Sequence, residues 1–336
     1  MIAPELAESF SGKRVLITGG LGFIGSTLAR ELVEAGASVL LIDSLIPEYG
    51  GQLENIAGIE DRVHVNISDV RDEHSMRYLV RDQDTIFNLA GQTSHLDSMT
   101  DPFTDLEINC RSQLSILETC RRHNPEAKVV FASTRQIYGR PRYLPVDESH
   151  PIAPVDVNGI NKAAGEWYHL LYGEVYGIPV VVLRLTNTYG PRMRVRDARQ
   201  TFLGYWLRLL VTGEELVVFG DGEQRRDFNY VDDAVRAFLL AASREEANGR
   251  VYNLGDERAV SLRELAELLV RINGGGSFRL EPFPGDRGAI DIGDYYADFG
   301  TIREGLGWTP QVGLEEGLER SLAFFREHGP SYWSEP

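Results

Sequence analysis

The chain of 336 residues carries 34 Lys and Arg against 50 Asp and Glu, for a formal charge of −16. This acidic balance excludes nucleic acid and anionic membrane surfaces as principal partners, so any anionic ligand must be held by a local group of cations. The length suffices for one large α/β unit or for two lobes that share an interface. The opening residues, MIAPELAESFSGKR, contain no basic segment followed by an apolar one, and no apolar stretch is long enough to span a bilayer. A cytoplasmic location without a membrane partner is therefore expected. Cys110 and Cys120 stand ten apart in one expected helix, a spacing that does not allow a bridge, and no metal is expected.

Apolar runs rich in Val, Ile and Phe at 14–18, 38–42, 62–66, 85–89, 128–132 and 179–185 alternate with helical patterns. Such alternation predicts an α/β fold with a doubly wound parallel sheet of Rossmann type. Ligands of these sheets bind beyond the carboxyl ends of the strands, so the loops starting at Gly19, Asp43, Asp69, Ala90, Ser133 and Thr186 should meet in one cleft. The first loop reads Gly19-Gly20-Leu21-Gly22-Phe23-Ile24-Gly25. Gly19 permits the tight turn, Gly22 lets the backbone approach a pyrophosphate, and Gly25 lets the helix pack closely on the strand. The phosphate then meets exposed N–H groups of the helix that follows, and Phe23 and Ile24 are counted with the cofactor-binding residues. The second run ends on Asp43, followed by Ser44, at the distance expected for a ribose-binding carboxylate. Asp43 would bind the free 2′-hydroxyl of NAD and repel the 2′-phosphate of NADP, so NAD is the expected cofactor.

Helical patterns at 102–122 and 158–176 carry apolar faces on both sides of their polar stripes. Beyond Thr186 come a polar loop, a helix from about 201, a short strand at 216–219 and smaller elements up to 328, which read as a smaller mixed α/β substrate lobe. The expected division is an NAD-binding domain over 1–185, with 227–255 returning to it, and a substrate lobe over 186–226 and 256–330. Arg192, Arg194, Arg196 and Arg199, with Arg225 and Arg226, form a local positive region suited to a diphosphate.

Further groups occur in order: Asp69-Val70-Arg71, Leu89-Ala90-Gly91, Ala132-Ser133-Thr134 with Tyr138-Gly139, Lys162-Ala163-Ala164-Gly165-Glu166, Asn187-Thr188-Tyr189-Gly190-Pro191-Arg192 and Arg226-Asp227-Phe228. With the glycine turn, this series resembles the extended short-chain dehydrogenases, and within them the NAD-dependent nucleotide-sugar epimerase, dehydratase and decarboxylase group. The resemblance implies a nucleotide diphosphate sugar as substrate and a cycle in which a sugar carbon is oxidised and re-reduced. It places Asp69 and Val70 at adenine, Leu89, Ala90 and Gly91 behind the pyrophosphate and ribose, and Lys162 at the nicotinamide ribose. It places Gln92, Asn187, Arg192, Phe202, Phe219, Arg226 and Asp286 at the substrate. It also implies a homodimer built from the two amphipathic helices.

Two departures from the group bear on chemistry. Its members resembling this chain place a tyrosine four residues before the lysine, and here that residue is Asn158. An amide can orient a hydroxyl but does not ionise in the useful range, so the usual proton acceptor is missing. Thr134 matches the group's hydroxyl partner and suits an orienting role. His95, Tyr189, Tyr138 and water remain open as proton acceptors, with imidazole best matched to neutral pH. Second, Arg135 and Gln136 stand where related dehydratases carry an Asp-Glu pair, and related decarboxylases carry Glu at the second position. Neither supplies the acid and base of an elimination, whereas Arg135 has a planar fork suited to a carboxylate. Phe283 also replaces the arginine that commonly precedes the Pro284-Gly285-Asp286 segment.

The expected function is therefore an NAD-dependent nucleotide-sugar epimerase working through a keto intermediate at C4. Its rivals are a dehydratase or decarboxylase with rearranged acid-base groups, and a non-catalytic protein that binds NAD and a nucleotide sugar.

Overall fold

The structure, a computed structural model, describes residues 3–198, 201–283, 288 and 290–333. Arg199 and Asp286 lie outside the described residues. The described strands are β1 (Arg14–Thr18), β2 (Ser38–Asp43), β3 (Val63–Ile67), β4 (Thr85–Asn88), β5 (Lys128–Thr134), β6 (Val180–Leu185), β7 (Asn187–Tyr189), β8 (Leu216–Phe219), β9 (Arg225–Tyr230), β10 (Val251–Asn253), β11 (Ala259–Ser261) and β12 (Phe278–Glu281). Seven of them form one sheet in the order β10-β6-β5-β4-β1-β2-β3, and every pair in it is parallel. Central strands such as β4 and β5 are near-continuous apolar runs because helices cover both faces of the sheet. The strand order reverses between β1 and β4, and the crevice outside that reversal is where a doubly wound sheet holds its ligand.

The second lobe carries a three-stranded sheet, β11-β9-β7, and a parallel pair, β12-β8. Within 227–255, β10 adds the outer strand of the main sheet, and the helix Val231–Ser243 packs on β5, β6 and the helix Phe23–Glu34. β9 belongs instead to the second sheet, where it pairs with β7.

The pattern over 102–122 reads as one helix, yet the structure divides it. Pro102–Leu106 is α-helical, Glu107–Arg111 makes a π turn, and Ser112–His123 resumes the α-helix. A π turn inserts a residue and rotates the rest of the helix, a distortion often found at functional sites. Asn109, within this turn, donates to Asp105 and to the Gln92 carbonyl. Cys110 lies in this turn and Cys120 in the next helix, and both are free thiols.

The helix Val157–Tyr176 is tied to the sheet through Glu166. Its carboxylate pairs with Arg184 on β6 and accepts a hydrogen bond from Ser133 on β5, all three being buried. On its outer side this helix, with the Pro102–Leu106 turn, exposes Phe103, Leu106, Ile160, Trp167 and Leu171. Among the described residues no helix is long and apolar enough to cross a membrane.

Candidate active site

A cleft of about 710 Å³ runs from the glycine turn to the second lobe. At its first end Gly19 has a φ of +67°, a backbone region that favours glycine, and a Cβ on Gly25 would lie 2.3 Å from the Gly19 carbonyl oxygen. Only glycine at both positions allows this approach of turn and helix. Asp43 closes the same end, its carboxylate accepting from the N–H groups of Leu21 at 3.1 Å and Leu45 at 2.9 Å. Burial raises its pKa, and those backbone donors pull in the opposite direction. Phe23, Ile24, Ser44, Asp69, Val70, Leu89, Ala90 and Gly91 line the same part of the cleft. Asp69 is held by Arg71 at 2.6 Å, a hydrogen-bonded pair that lowers the carboxyl pKa despite partial burial.

The loop Leu89–Gly91 is shaped by a buried polar chain. Thr18 accepts from the N–H groups of Leu89 and Ala90 and donates to Asn88, which in turn donates to Gln113. His169 completes the chain beside Asn88, stacked on Phe131, and burial pushes its pKa down to about 4, so its ring stays neutral.

Lys162 reaches the middle of the cleft from the helix Val157–Tyr176. Its Nζ donates to the Ala132 carbonyl at 3.2 Å and sits 5.1 Å from the centre of the Phe131 ring. Burial lowers its pKa to about 8, opposed by the charge of Asp105, so near neutrality the side chain is still mostly cationic. A Cβ on Gly91 would lie 2.8 Å from this Nζ and 3.0 Å from Asn109 Oδ1, a buried oxygen without a partner. A glycine turn, a carboxylate at the end of β2, a buried ammonium and an unsatisfied amide oxygen fit the polar outline of a nicotinamide dinucleotide.

Asn158 lines the cleft but is only 2% exposed, because its amide is taken up by buried partners. Its amide donates to Asp105 Oδ2 at 3.0 Å and to the Gln92 carbonyl at 2.8 Å. Asn161 and Asn109 also donate to Asp105, at 2.8 and 3.0 Å, so three amides surround one fully buried carboxylate. Asp105 is not apparent in the sequence, because two of its three partners come from a helix about fifty residues further along the chain. Asp156 is also absent from the sequence reading, although an aspartate just before a helix is a recognisable cap. It accepts from Gly159 N–H at 2.7 Å, from the Gln136 amide at 2.8 Å, and lies 2.9 Å from His95 Nδ1.

Of the remaining sequence candidates, His95, Thr134, Arg135, Gln136, Asn187, Phe202, Phe219 and Arg226 line the cleft. Arg135 donates to Asn187 at 2.9 Å and lies over the Tyr295 ring, while its Nη1 is buried with no partner. Arg226 is fixed by the carbonyls of Arg225 and Gly293. Tyr205, Trp206 and Phe283 join Phe202 and Phe219 in an aromatic wall that the sequence reading only partly anticipated.

Four candidates lie outside the cleft lining. Tyr189 is buried with its hydroxyl donating to the Leu314 carbonyl, because β7 turns the ring into the core. Tyr138 donates to Asn253 and accepts from Arg184, and burial pushes its pKa up to about 12. Arg192, at φ +70°, places its guanidinium against Thr27 and over the Phe324 ring. Gln92 is engaged with the Ser94 carbonyl at 2.8 Å and is buried.

The sheet order, the glycine turn and the lysine helix together define a dinucleotide-dependent enzyme of the extended short-chain dehydrogenase type. The chain belongs to the NAD-dependent epimerase/dehydratase family, whose model matches residues 15–255, and NAD is its cofactor. It is 32% identical over 315 residues to a putative UDP-glucose 4-epimerase of Methanocaldococcus jannaschii, covering 94% of this chain and 99% of that protein. Among solved structures it is similar to the UDP-glucose 4-epimerase of Thermotoga maritima, determined with UDP-glucose, at a TM-score of 0.84 and 32% identity over 94% of this chain and 99% of that one. The dTDP-glucose 4,6-dehydratase of Streptomyces venezuelae, determined with NAD, gives a TM-score of 0.87 at 27% identity, covering 96% and 99%.

Placing a tyrosine at 158 would deprive Asp105 of an amide donor and crowd a closed site. Asn158→Tyr is expected to cost about 2–4 kcal/mol of stability in denaturant unfolding. Turnover should fall rather than rise, and a variant faster than wild type would contradict this role of the amide.

Proposed function

We propose that the protein is a nucleotide-sugar epimerase that inverts C4 through a keto intermediate. The observation that carries this reading is the end of β5, where the acid positions of related dehydratases are filled by Arg135 and Gln136. Each is already engaged, one with Asn187 and the other with Asp156. Elimination of water needs a free acid and a free base at those positions, whereas epimerisation needs only removal and return of a hydroxyl proton beside a hydride carrier.

NAD, when bound, supplies the reversible hydride acceptor. Asp43 is assigned to its adenosine ribose, Gly19, Gly22 and Gly25 to the pyrophosphate turn, and Asp69 and Val70 to adenine. The buried Lys162 cation favours negative charge developing on oxygen close to the nicotinamide ribose. Thr134, at the end of β5, lines the same cleft and can orient the reacting hydroxyl. The aromatic wall around Phe202 and Phe219 suits a nucleoside base. Asn187 and Arg226 are assigned to the substrate's polar half.

Arg135 supports an acidic sugar. A buried guanidinium nitrogen without an acceptor is costly, and a carboxylate on the sugar would supply the missing partner. The exposed face containing Phe103 (76% exposed) and Trp167 (56% exposed) supports pairing of two copies through these helices.

Incubating the purified protein with a panel of nucleotide sugars in deuterated water should yield a C4-inverted product, transient absorbance of reduced nicotinamide and no deuterium on carbon. Deuterium at C5 with loss of water would mark a dehydratase, and no change with any sugar would mark a binding protein. With an acidic sugar nucleotide, Arg135→Met should raise KM by about 10- to 100-fold relative to its effect on a neutral one. Equal effects on both would remove the acidic-sugar assignment. Sedimentation should find a dimer that Trp167→Asp converts to monomer, whereas a monomeric wild type would contradict the pairing.

A further inference from the structure

The missing tyrosine leaves the epimerase without a proton acceptor, and the cleft offers few replacements. Tyr138 and Tyr189 are buried outside it with their hydroxyls engaged. The Asn158 amide is taken up by Asp105 and Gln92, and Lys162 is mostly cationic near neutrality. His95 remains. It opens the short helix His95–Thr100 and lines the same cleft as Thr134, Asn158 and Lys162.

Its surroundings are those of a base with an orienting carboxylate. Nδ1 is buried and lies 2.9 Å from Asp156 Oδ2, while about a third of the side chain (34%) is open. The open part is therefore the edge that carries Nε2. The ring N–H is not aligned on the carboxylate in this structure, a looseness common at catalytic contacts before substrate binds. Asp156 itself is fully buried. Burial alone would raise its pKa, but His95, the Gly159 N–H and the Gln136 amide together hold it below the ordinary value, so it stays ionised. Gln136 fits the same arrangement. A glutamate at that position would set a second carboxylate against Asp156, whereas the amide donates a hydrogen bond to it.

We propose that His95, oriented by Asp156, is the catalytic residue that takes the proton from the sugar hydroxyl, in the place usually held by a tyrosine. The assignment rests on the epimerase reading. In the forward half, the hydroxyl O–H electron pair forms the C=O bond as its proton passes to His95 Nε2. Bound NAD would supply the acceptor for the hydrogen on the same carbon, which leaves with its electron pair. In the return half, hydride is delivered to the other face of the ketone, and the imidazolium gives the proton back to oxygen, so protons and electrons balance. Asp156 is a positioning residue: it stabilises the imidazolium and fixes the Nδ1–H tautomer that frees Nε2. It also caps the helix carrying Lys162, so one carboxylate sets both the base and the cation that face the sugar. The other charged groups near the pair are Arg135, which interacts electrostatically with Asp156, and Asp97 on the same short helix as His95.

The test compares wild type, His95→Gln and Asp156→Asn as NAD-loaded proteins, with NAD content and melting temperature as folding checks. Because the base works only when unprotonated, the wild-type rate should show an acid limb, falling as pH drops. His95→Gln should lose about 100-fold or more in kcat, and its residual rate should no longer show that acid limb. In 15N spectra of the resting protein, His95 should appear as the Nδ1–H tautomer, and Asp156→Asn should disturb that signal. If His95→Gln keeps more than a tenth of the rate, or loses rate with the acid limb intact, the proposal is overturned while the epimerase reading stands. Wild type inert to every nucleotide sugar would overturn both.

Discussion

Two buried carboxylates, Asp156 and Asp105, fix the start of the helix Val157–Tyr176, and through it the geometry of the cleft. Asp156 caps the helix, gathers Gln136 and lies against His95. Asp105 takes the amides of Asn109, Asn158 and Asn161. A carboxylate out of water is costly unless its oxygens are hydrogen-bonded, so each acid dictates where its donors must stand. The field of Asp105 also lowers the cost of burying the Lys162 cation.

The same requirement accounts for Asn158. A phenol four residues before the lysine would need room and a different partner, whereas the amide is a short donor that Asp105 uses directly. The residue is thus a working part of the helix start rather than a gap in it. The π turn at Glu107–Arg111 belongs to the same arrangement, since it carries Asn109, which donates to Asp105 and to the Gln92 carbonyl.

Much of the fold was legible in the sequence because local chemistry determines it. Apolar runs with both faces buried marked the parallel strands, and glycines forced by close backbone approach marked the dinucleotide turn. The second sheet was not legible. β7 and β11 are three residues long and pair with β9 across long sequence separations, so no period reveals them. Tyr189 and Arg192 lie just past a strand end, where side chains commonly face the cleft, but β7 and a left-handed residue at Arg192 turn both away. Asp105 was hidden for a related reason: a buried aspartate is recognisable only once its amide partners are placed beside it. Asp156, by contrast, was readable as a helix cap, although its second role at His95 was not.

The most direct measurement is a crystal structure of the protein with NAD and a nucleotide sugar bound. The expected result is that Asn158 stays hydrogen-bonded to Asp105, and that the reacting sugar hydroxyl lies within hydrogen-bond reach of His95 Nε2 and Thr134. An Asn158 side chain released from Asp105 to hold that hydroxyl, with His95 remote from the sugar, would contradict it.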